Sequence, residues 1–383
     1  MTMKQTIEQS HMAMVEGRDI PWLLNLWVEQ TPDNPFLIWA PFEGEDRTWS
    51  YAEFGRDVNA VAAALHNRGV VAGERVLLHL DNSPEFMISW FACAQVGAVA
   101  VSTNTRSVAR DMTYFADHAG VVAAITQPGF AELVKESAPD IRFLVITDNN
   151  AGDKAKTPDS VPHIPFAELL GDKGACPVRA TDPHANLGIQ FTSGTTSRPK
   201  AVLWTHANTI WGAQMNASHM RLSGADITLA FLPLFHTNAQ SYSMLGSLWV
   251  GGTIVVQPRF SASRFWPTAR KHKCTWTSLI PFCVKALLSQ DPPPDHSFRF
   301  WNPAIRMPDV ETTYGIPTFG WWGMTETITH GIVGDIDHPG GPLSIGRVSP
   351  GYDIEIRDSD GNYIKPGERG LLYIRGVRGV SLF

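Results

Sequence analysis

Cysteine is scarce in this chain and long apolar runs are missing. Four cysteines occur in 383 residues without a CxxC pair, so neither a disulfide framework nor a zinc knuckle is indicated. The longest apolar stretch, Ile88 to Val101, contains Ser89, Gln95 and Gly97 and is too short to span a bilayer. Met1 to Gly17 is polar and lacks the apolar segment of a signal peptide. We therefore expect a cytoplasmic protein without a membrane span.

An excess of positive charge is also missing. The sequence holds 31 Lys and Arg against 37 Asp and Glu, which is a formal net charge of −6. A general nucleic-acid-binding protein would favour a basic face, so we expect no nucleic-acid partner. Hydrophobic residues make up 44% and charged residues 18%, as is typical of a globular chain. At roughly 100–200 residues per domain, the length suggests two or three packing units.

The first 150 residues alternate helical and strand patterns. Ser50 and Glu53 predict a capping box, Ser83-Pro84 predicts the start of a second helix, and Ser107 is expected to cap a third. Helices of this length between short strands indicate βαβ units and a mostly parallel sheet. The strands are expected at Val76–Leu80, Ala98–Ser102, Val121–Thr126 and Arg142–Thr147.

A second βα series begins near Leu187, and the pattern changes again after Gly346. Strands separated by the turn signal Asp360-Gly361 predict a small β element at the end of the chain. The fold class we predict is α/β, with two βα subdomains of mostly parallel sheet plus this element. The expected domains are residues 1–185, 186–345 with a phosphate loop, and 346–383. The strands of the second series are expected at Ile227–Leu232, Thr253–Val256 and Trp276–Ile280.

A segment rich in hydroxyl groups follows the apolar residues 187–191. It consists of Thr192, Ser193, Gly194, Thr195, Thr196, Ser197, Arg198, Pro199 and Lys200. Glycine lets the backbone approach an anion closely, and hydroxyl and N–H groups donate hydrogen bonds to phosphate oxygens. A Walker loop would need glycine directly before the lysine, where Pro199 stands. The segment therefore predicts a phosphate-binding loop of another kind, with a polar surface turn as the alternative.

Two further segments carry groups that suit nucleotide chemistry. In Gly320–Thr327, Trp322 offers an aromatic face for a base, Thr325 a hydroxyl, and Glu326 a carboxylate for a hard cation such as Mg²⁺. Taken alone, paired tryptophans more often belong to a core, and a Thr-Glu pair often begins a helix. The third segment, Leu232–Asn238, contains His236, which alone would be read as a half-buried histidine at a strand end.

Taken together and in this order, the three segments resemble the acyl-adenylate-forming superfamily. That superfamily includes acyl-CoA synthetases, aryl-CoA ligases, adenylation domains of peptide synthetases and beetle luciferases. The resemblance covers nearly the whole chain, including residues 346–351 and 367–376. Within the superfamily the sequence looks most like the AMP-forming acyl-CoA ligases, nearest the crotonobetaine/carnitine–CoA ligase branch.

The resemblance implies a two-step reaction with ATP, Mg²⁺ and CoA. A carboxylic acid is converted to acyl-AMP and pyrophosphate, and the CoA thiol then displaces AMP. By similarity, Lys200, His236, Thr325 and Glu326 would be catalytic, with Glu326 on Mg²⁺, Thr325 on the α-phosphate and His236 between the nucleotide and acyl pockets. Trp322 and Gly323 would lie in the nucleotide site, with Trp322 next to adenine. The β- and γ-phosphates would be held by Thr192, Ser193, Gly194, Thr195, Thr196 and Lys200.

The sequence departs from the family pattern at several positions. Ser197 and Ala201 replace usual glycines, and Ala201 is tolerable only where its φ is negative. Residues 300–304 replace a Gly-Gly-Ala-Pro-like adenine loop, and Arg369 stands where Glu is common. The family's Thr-Gly-Asp segment and mobile C-terminal domain would follow Phe383. We therefore expect a truncated fragment that lacks this domain and has impaired activity.

Aromatic residues near the expected acid pocket suggest an apolar or ring-bearing acyl group, unless most of them belong to the core. They are Trp211, Phe235, Tyr242, Trp321 and Trp322. An amino-acid or aryl adenylation domain of the same superfamily and a non-catalytic nucleotide-binding module stay open as alternative functions. The identity of the acid and the oligomeric state are also open.

Overall fold

The computed structural model describes residues 13–172, 174–192 and 198–376. The α-helices in these ranges are α1 (Ile20–Gln30), α2 (Tyr51–Asn67), α3 (Pro84–Val96), α4 (Ala109–Ala119), α5 (Ala131–Ser137), α6 (Phe166–Leu170), α7 (His206–His219), α8 (Gly246–Trp249), α9 (Ala262–Lys271), α10 (Pro281–Leu288) and α11 (Pro308–Tyr314). A π-helix covers Asn238–Leu245, and 3₁₀ turns cover Pro128–Phe130 and Thr325–Thr327.

The strands of the first half are β1 (Pro35–Trp39), β2 (Arg47–Ser50), β3 (Arg75–His79), β4 (Val99–Ser102), β5 (Val121–Thr126), β6 (Phe143–Ile146), β7 (Asn149–Asn150), β8 (Asp153–Lys154) and β9 (Ile164–Pro165). Those of the second half are β10 (Asn186–Thr192), β11 (Lys200–Thr205), β12 (Ile227–Ala230), β13 (Thr253–Val256), β14 (Trp276–Leu279), β15 (Phe300–Pro303), β16 (Trp321–Trp322), β17 (Ile332–Val333), β18 (Arg347–Val348), β19 (Tyr352–Arg357) and β20 (Leu371–Gly376). The predicted strands are confirmed, with boundaries that differ by one or two residues.

Side-chain caps define most of the helix starts that the sequence predicts. Ser50 and Glu53 form the predicted capping box at α2, and Ser83 caps α3. The prediction for Ser107 is wrong, because α4 begins at Ala109 and its N-cap is Val108, which makes no side-chain cap bond. The amide N–H of Ser107 instead donates to the carbonyl of Asn104 in a preceding turn, one residue too early for capping.

One sheet of seven strands has the order β11-β10-β4-β3-β5-β6-β9. Its neighbours are parallel except for β10 and β11, which form an antiparallel pair at the edge. The strands in its middle are almost completely buried, as expected for a parallel sheet covered by helices on both faces. The hydroxyl-rich segment therefore joins the two strands at one edge of this sheet.

A second sheet of six strands has the order β15-β14-β12-β13-β1-β2 and is parallel except between β1 and β2. The two sheets exchange strands across residue 185, since β1 and β2 lie in the second sheet and β10 and β11 in the first. The α/β class with two mostly parallel sheets is confirmed. The division into residues 1–185, 186–345 and 346–383 stays a prediction about domains.

Two small antiparallel sheets complete the described part of the chain near the predicted site. Strands β16, β17 and β18 form one, and β19 with β20 forms the other, which is the predicted small β element. The side chain of Tyr352, at the start of β19, is buried, and its hydroxyl donates a hydrogen bond to the carbonyl of Thr327. The helices of the described residues include none that is long and apolar enough to cross a membrane.

Candidate functional site

The hydroxyl-rich segment is anchored by the edge hairpin of the first sheet. Thr192 ends β10 and lies opposite Lys200, which begins β11. Beside the hairpin, the Tyr114 hydroxyl of α4 donates to the carbonyl of Pro199 at 3.1 Å, and the Arg198 guanidinium lies 5.4 Å from the Tyr114 ring centroid. The middle of the segment lies outside the described residues, so the predictions for it stay predictions: Ser193, Gly194, Thr195, Thr196 and Ser197.

The replacement of a usual glycine by Ala201 is accommodated by the strand. Ala201 pairs with Phe191 inside the hairpin, and it is absent from the residues with positive φ. Extended backbone tolerates any side chain there, so the condition that the sequence set for this substitution is met. Lys200, its neighbour, is exposed and lies at the end of the hairpin next to the connecting loop.

The turn that carries His236 is fixed by a buried asparagine from the other sheet. The Asn82 amide donates to the carbonyls of Leu232 (3.0 Å) and Gln257 (3.1 Å), and its oxygen accepts from the amide N–H of Leu234 (2.7 Å). Asn82 lies just after β3 of the seven-stranded sheet, whereas Leu232 and Gln257 follow β12 and β13 of the six-stranded sheet. One side chain thus joins the carboxyl ends of both sheets beside His236.

His236 is exposed, which corrects the reading of a half-buried histidine, because its side chain lies outside the buried contacts that hold Phe235 and Thr237 on either side of it. Its ring centroid lies 4.6 Å from that of Phe235, and its main-chain oxygen accepts from the amide of Gln240. Removal of water lowers the pKa of His236 below its ordinary value. The imidazole is therefore neutral near pH 7 and can donate one hydrogen bond and accept another.

The Trp321–Glu326 segment is held in place from three directions. The Trp321 indole donates to the carbonyl of Asn302 at 3.0 Å, and the Trp204 indole donates to the carbonyl of Thr325 at 2.9 Å. The third contact is the hydrogen bond that the Tyr352 hydroxyl donates to the carbonyl of Thr327, directly after the segment. Since Trp204 lies in β11, the strand that begins at Lys200 also positions the turn that contains Thr325.

Gly323 lies against the π-helix so closely that a side chain would not fit. A Cβ atom added to Gly323 would be 2.4 Å from the hydroxyl oxygen of Tyr242 and 2.9 Å from the carbonyl oxygen of Thr329. Contacts this short require the backbone or Tyr242 to move. Glycine at this position is therefore needed for the close packing of the Trp322–Glu326 segment on the π-helix.

Several aromatic candidates for the acid pocket are buried in the interior. Trp211, Phe235 and Tyr242 have almost no accessible surface, whereas Trp321 and Trp322 are half-buried. Tyr242 packs edge-on against Trp321 with ring centroids 5.3 Å apart. Of this set, Trp321 and Trp322 are thus the side chains with aromatic surface that a ligand can reach.

Glu326 offers a carboxylate that suits magnesium carried by a nucleotide. It is half-buried, and no Lys, Arg or His of the described residues pairs with it. No cluster of three or more metal-ligating side chains occurs in those residues. Mg²⁺ is commonly held by one or two carboxylates together with substrate phosphates and water, so a single glutamate fits this mode.

The comparison with protein families agrees with this geometry. The family model described as "AMP-binding enzyme" matches residues 24–381. The chain belongs to this family. The match includes both anchored ends of the hydroxyl-rich segment, the His236 turn and the Trp322–Glu326 segment of the AMP-binding enzyme, and it confirms the resemblance from the sequence.

Related sequences and structures place this AMP-binding enzyme among the adenylate-forming CoA ligases. The crotonobetaine/carnitine–CoA ligase of Salmonella typhi is 32% identical over 387 residues, which cover 97% of this chain and 74% of the relative. The o-succinylbenzoate CoA synthetase of Bacillus subtilis, solved with AMP, is 25% identical with a TM-score of 0.78, covering 93% of this chain and 87% of the other. A benzoate CoA ligase from Burkholderia xenovorans shares the fold at 22% identity, with a TM-score of 0.80 and coverage of 94% and 71%.

The sequence did not point to the residues that hold the site of the AMP-binding enzyme together. These residues are Asn82, Trp204 and Tyr352. Their hydrogen-bond partners lie 150, 121 and 25 residues away along the chain, respectively. A polar residue just past a parallel strand was a usable signal for Asn82, because functional side chains gather at carboxyl ends of strands. Trp204 and Tyr352 carried no such signal. Residues 300–304, which differ from the family's adenine loop, also have a structural role, since Phe300–Pro303 is the buried strand β15.

Proposed function

We propose that this protein activates a carboxylic acid with ATP and transfers the acyl group to CoA. In the first step a carboxylate oxygen attacks the α-phosphorus, the bond to the bridging oxygen of the β-phosphate breaks, and pyrophosphate leaves. In the second step the CoA sulfur attacks the acyl carbon, AMP leaves, and the thiol proton passes to a base or to solvent. Both steps need placement and charge neutralisation more than covalent help from the protein.

The bond between Trp204 and Thr325 is the observation that best supports this proposal. It ties the strand that begins at Lys200 to the turn that contains Thr325 and Glu326. A lysine, a hydroxyl and a carboxylate are thereby held on one scaffold, although more than 120 residues separate the lysine from the other two along the chain. This set suits a magnesium–nucleotide triphosphate, with a cation and a donor for phosphate oxygens and an acceptor for the metal.

The roles of the individual residues follow from their chemistry. Lys200, with Thr192 and the loop between them, binds the β- and γ-phosphates, and Thr325 donates to the α-phosphate. Glu326 holds Mg²⁺, which, when bound, offsets phosphate charge. Trp322 and Gly323 border the base. The neutral imidazole of His236 donates a hydrogen bond at the boundary between nucleotide and acid, without adding a charge that would compete with Lys200.

The acid that we propose is apolar or ring-bearing, because the half-buried Trp321 and Trp322 offer aromatic faces. Small acids that carry a quaternary ammonium group are a second class to test, because a relative is named for crotonobetaine and carnitine. Aromatic faces also attract such cations. A screen of benzoate, o-succinylbenzoate, crotonobetaine, carnitine and acetate, read out as pyrophosphate release, separates these classes. Preference for acetate over every larger acid would overturn the aromatic pocket.

The acceptor is tested in the same assay with CoA and mass spectrometry. We expect pyrophosphate release that depends on both ATP and the acid, followed by an acyl-CoA product. If acyl-AMP accumulates in the presence of CoA but reacts with a carrier-protein thiol, the acceptor is a carrier protein and not CoA. Nucleotide binding without any acid-dependent pyrophosphate release would contradict the proposed ligase and leave a binding module.

A further inference from the structure

A chain of buried side-chain hydrogen bonds links β10 to the turn of His236. The Thr237 hydroxyl donates to Oε1 of Gln190 at 2.9 Å, and Nε2 of Gln190 donates to Oε1 of Gln240 at 2.8 Å. Nε2 of Gln240 then donates to the carbonyl of Leu234 at 3.1 Å. All four residues are buried, so water does not compete for these bonds.

The final acceptor determines the direction of the whole chain. A carbonyl such as that of Leu234 can only accept, so Gln240 must present its Nε2 there and its Oε1 to Gln190. Gln190 must in turn present Nε2 to Gln240, which leaves its own Oε1 for Thr237. Each amide therefore has one orientation that satisfies all of its bonds in this chain.

This chain of hydrogen bonds contacts the turn on both sides of His236. Leu234 precedes His236 by two residues, and Thr237 follows it directly. Gln190 stands on β10 two residues before Thr192, and side chains two apart lie on the same face of a strand. The strand that leads to the hydroxyl-rich segment is thus bonded to the turn through Gln190.

We propose that Gln190 is a positioning residue that fixes the His236 turn against β10 and thereby sets where the acid is held relative to the nucleotide. This role rests on the proposed ligase function for its effect on turnover, but the placement of His236 by Gln190 does not depend on turnover. Displacing a catalytic group by about 1 Å costs on the order of a hundredfold in rate. Gln190 acts through His236 and touches no reacting atom itself.

The test uses variants of the full chain that remove the bonds with little change of shape. Gln190→Met removes both bonds of the amide, and Thr237→Val replaces one hydroxyl by a methyl group. Gln257→Met is the matched control, because its buried Nε2 donates to Thr268 of α9 at 2.8 Å and not to the turn, and because the substitution keeps the main-chain carbonyl that accepts from Asn82. The pKa of His236 is measured by NMR on ring-labelled histidine without substrates, and KM for acid, KM for ATP and kcat are measured in the pyrophosphate assay.

We expect the pKa of His236 to rise toward its ordinary value in Gln190→Met and Thr237→Val, and to stay unchanged in Gln257→Met. KM for the acid should rise, or kcat fall, by roughly tenfold, with KM for ATP changed by less than about threefold. The double variant Gln190→Met/Thr237→Val should change the pKa of His236, KM and kcat no more than Gln190→Met does, because both substitutions break the same chain of hydrogen bonds.

An unchanged pKa of His236 in both single variants would overturn the positioning role, whatever the activity. Equal effects in Gln257→Met would also overturn it, because a general loss of stability would then explain the result. A wild-type protein that releases no pyrophosphate with any acid would contradict the ligase function alone, and the NMR titration would still decide the role of Gln190.

Discussion

The indole N–H of Trp204 donates a hydrogen bond of 2.9 Å to the main-chain oxygen of Thr325. Trp204 is buried in the strand that begins at Lys200, and Thr325 begins the turn that carries Glu326. Two segments on which nucleotide chemistry would depend are therefore joined by one bond. The donor side of this bond is buried, whereas Thr325 is half-buried.

Trp204→Phe removes this donor and keeps most of the aromatic packing. We expect the turn to loosen, kcat of acid-dependent pyrophosphate release to fall roughly tenfold, and the free energy of unfolding to fall by about 1–2 kcal/mol. Trp276→Phe is the matched control, since Trp276 is buried and its indole nitrogen has no partner among the described residues. Equal loss of turnover in both variants would show that packing, and not the bond, matters.

Gly323→Ala places a methyl group against Tyr242 and Thr329. Because the new Cβ would lie 2.4 Å from the Tyr242 hydroxyl oxygen, we expect displacement of the 322–326 segment and a loss of about 1–3 kcal/mol of stability. Gly341→Ala is the control, since a Cβ there meets no atom within 4 Å. Thermal unfolding and ATP titration measure both effects.

A second substitution makes this prediction more specific. Tyr242→Phe in the Gly323→Ala background removes the atom that is closest to the new methyl group, so it should restore part of the lost stability. The contact of 2.9 Å with the carbonyl of Thr329 would remain, so the recovery should be incomplete. No recovery at all would place the conflict elsewhere.

Lys200→Ala should weaken ATP binding, because it removes a cation expected beside the phosphates. Charge-assisted bonds contribute about 1.5–3 kcal/mol, so KM for ATP should rise roughly ten- to a hundredfold while KM for the acid changes little. Lys285→Ala, an exposed lysine on α10, is the control. Unchanged ATP affinity by calorimetry and unchanged pyrophosphate release would remove Lys200 from the mechanism.

Glu326→Gln should raise the Mg²⁺ concentration needed for half-maximal pyrophosphate release. The amide keeps the size of the side chain but loses the charge that a hard cation prefers. Glu136→Gln, an exposed glutamate on α5, is the control for surface charge. An unchanged magnesium dependence would mean that other groups hold the metal.

Stability should fall on acidification because buried histidines are held neutral. Burial lowers the pKa of His79 and of His219 to about 4, and that of His206 to about 3. Between pH 6.5 and these values the unfolded chain binds more protons than the folded one, so the free energy of unfolding decreases as the pH falls through this window. At about 1.4 kcal/mol per pKa unit, His79 and His219 each contribute up to about 3 kcal/mol to that loss, and His206 up to about 5 kcal/mol.

The variant His79→Gln tests this dependence between pH 6.5 and 4.5, where comparison with the wild type cancels the carboxylate titration that both proteins share. Its unfolding free energy should depend less steeply on pH than that of the wild type, as measured by urea titration. His184→Gln, at an exposed position, should leave the slope unchanged. Identical slopes in wild type and His79→Gln would show that folding does not lower the pKa of His79.

Local pattern was enough to predict most elements of this fold. Ser50 with Glu53 and Ser83 with Pro84 define helix starts through contacts within three residues, and both predictions are confirmed. Ser107 failed because an adjacent turn around Asn104 uses the same short stretch of chain. Capping signals are reliable only where no neighbouring polar group competes for the same amides.

Order along the chain was a poor guide to sheet membership. The strand around Phe36, β1, pairs with β13 more than 200 residues later, and β2 pairs with β1, while β10 and β11 join the first sheet. Alternation of apolar residues shows that a strand is buried but not which strand lies beside it. Pairing across such distances depends on packing of the whole core.

The sequence by itself determined the α/β class, the family resemblance and the residue types of the site, because motifs such as the hydroxyl-rich segment and Gly323–Glu326 are local in the chain. Tertiary structure decided how these motifs are held together, through Asn82, Gln190 and Trp204. Each of the three side chains is largely buried and bonds a partner that is distant in sequence. The strength of such a bond depends on exclusion of water, which only the folded core provides.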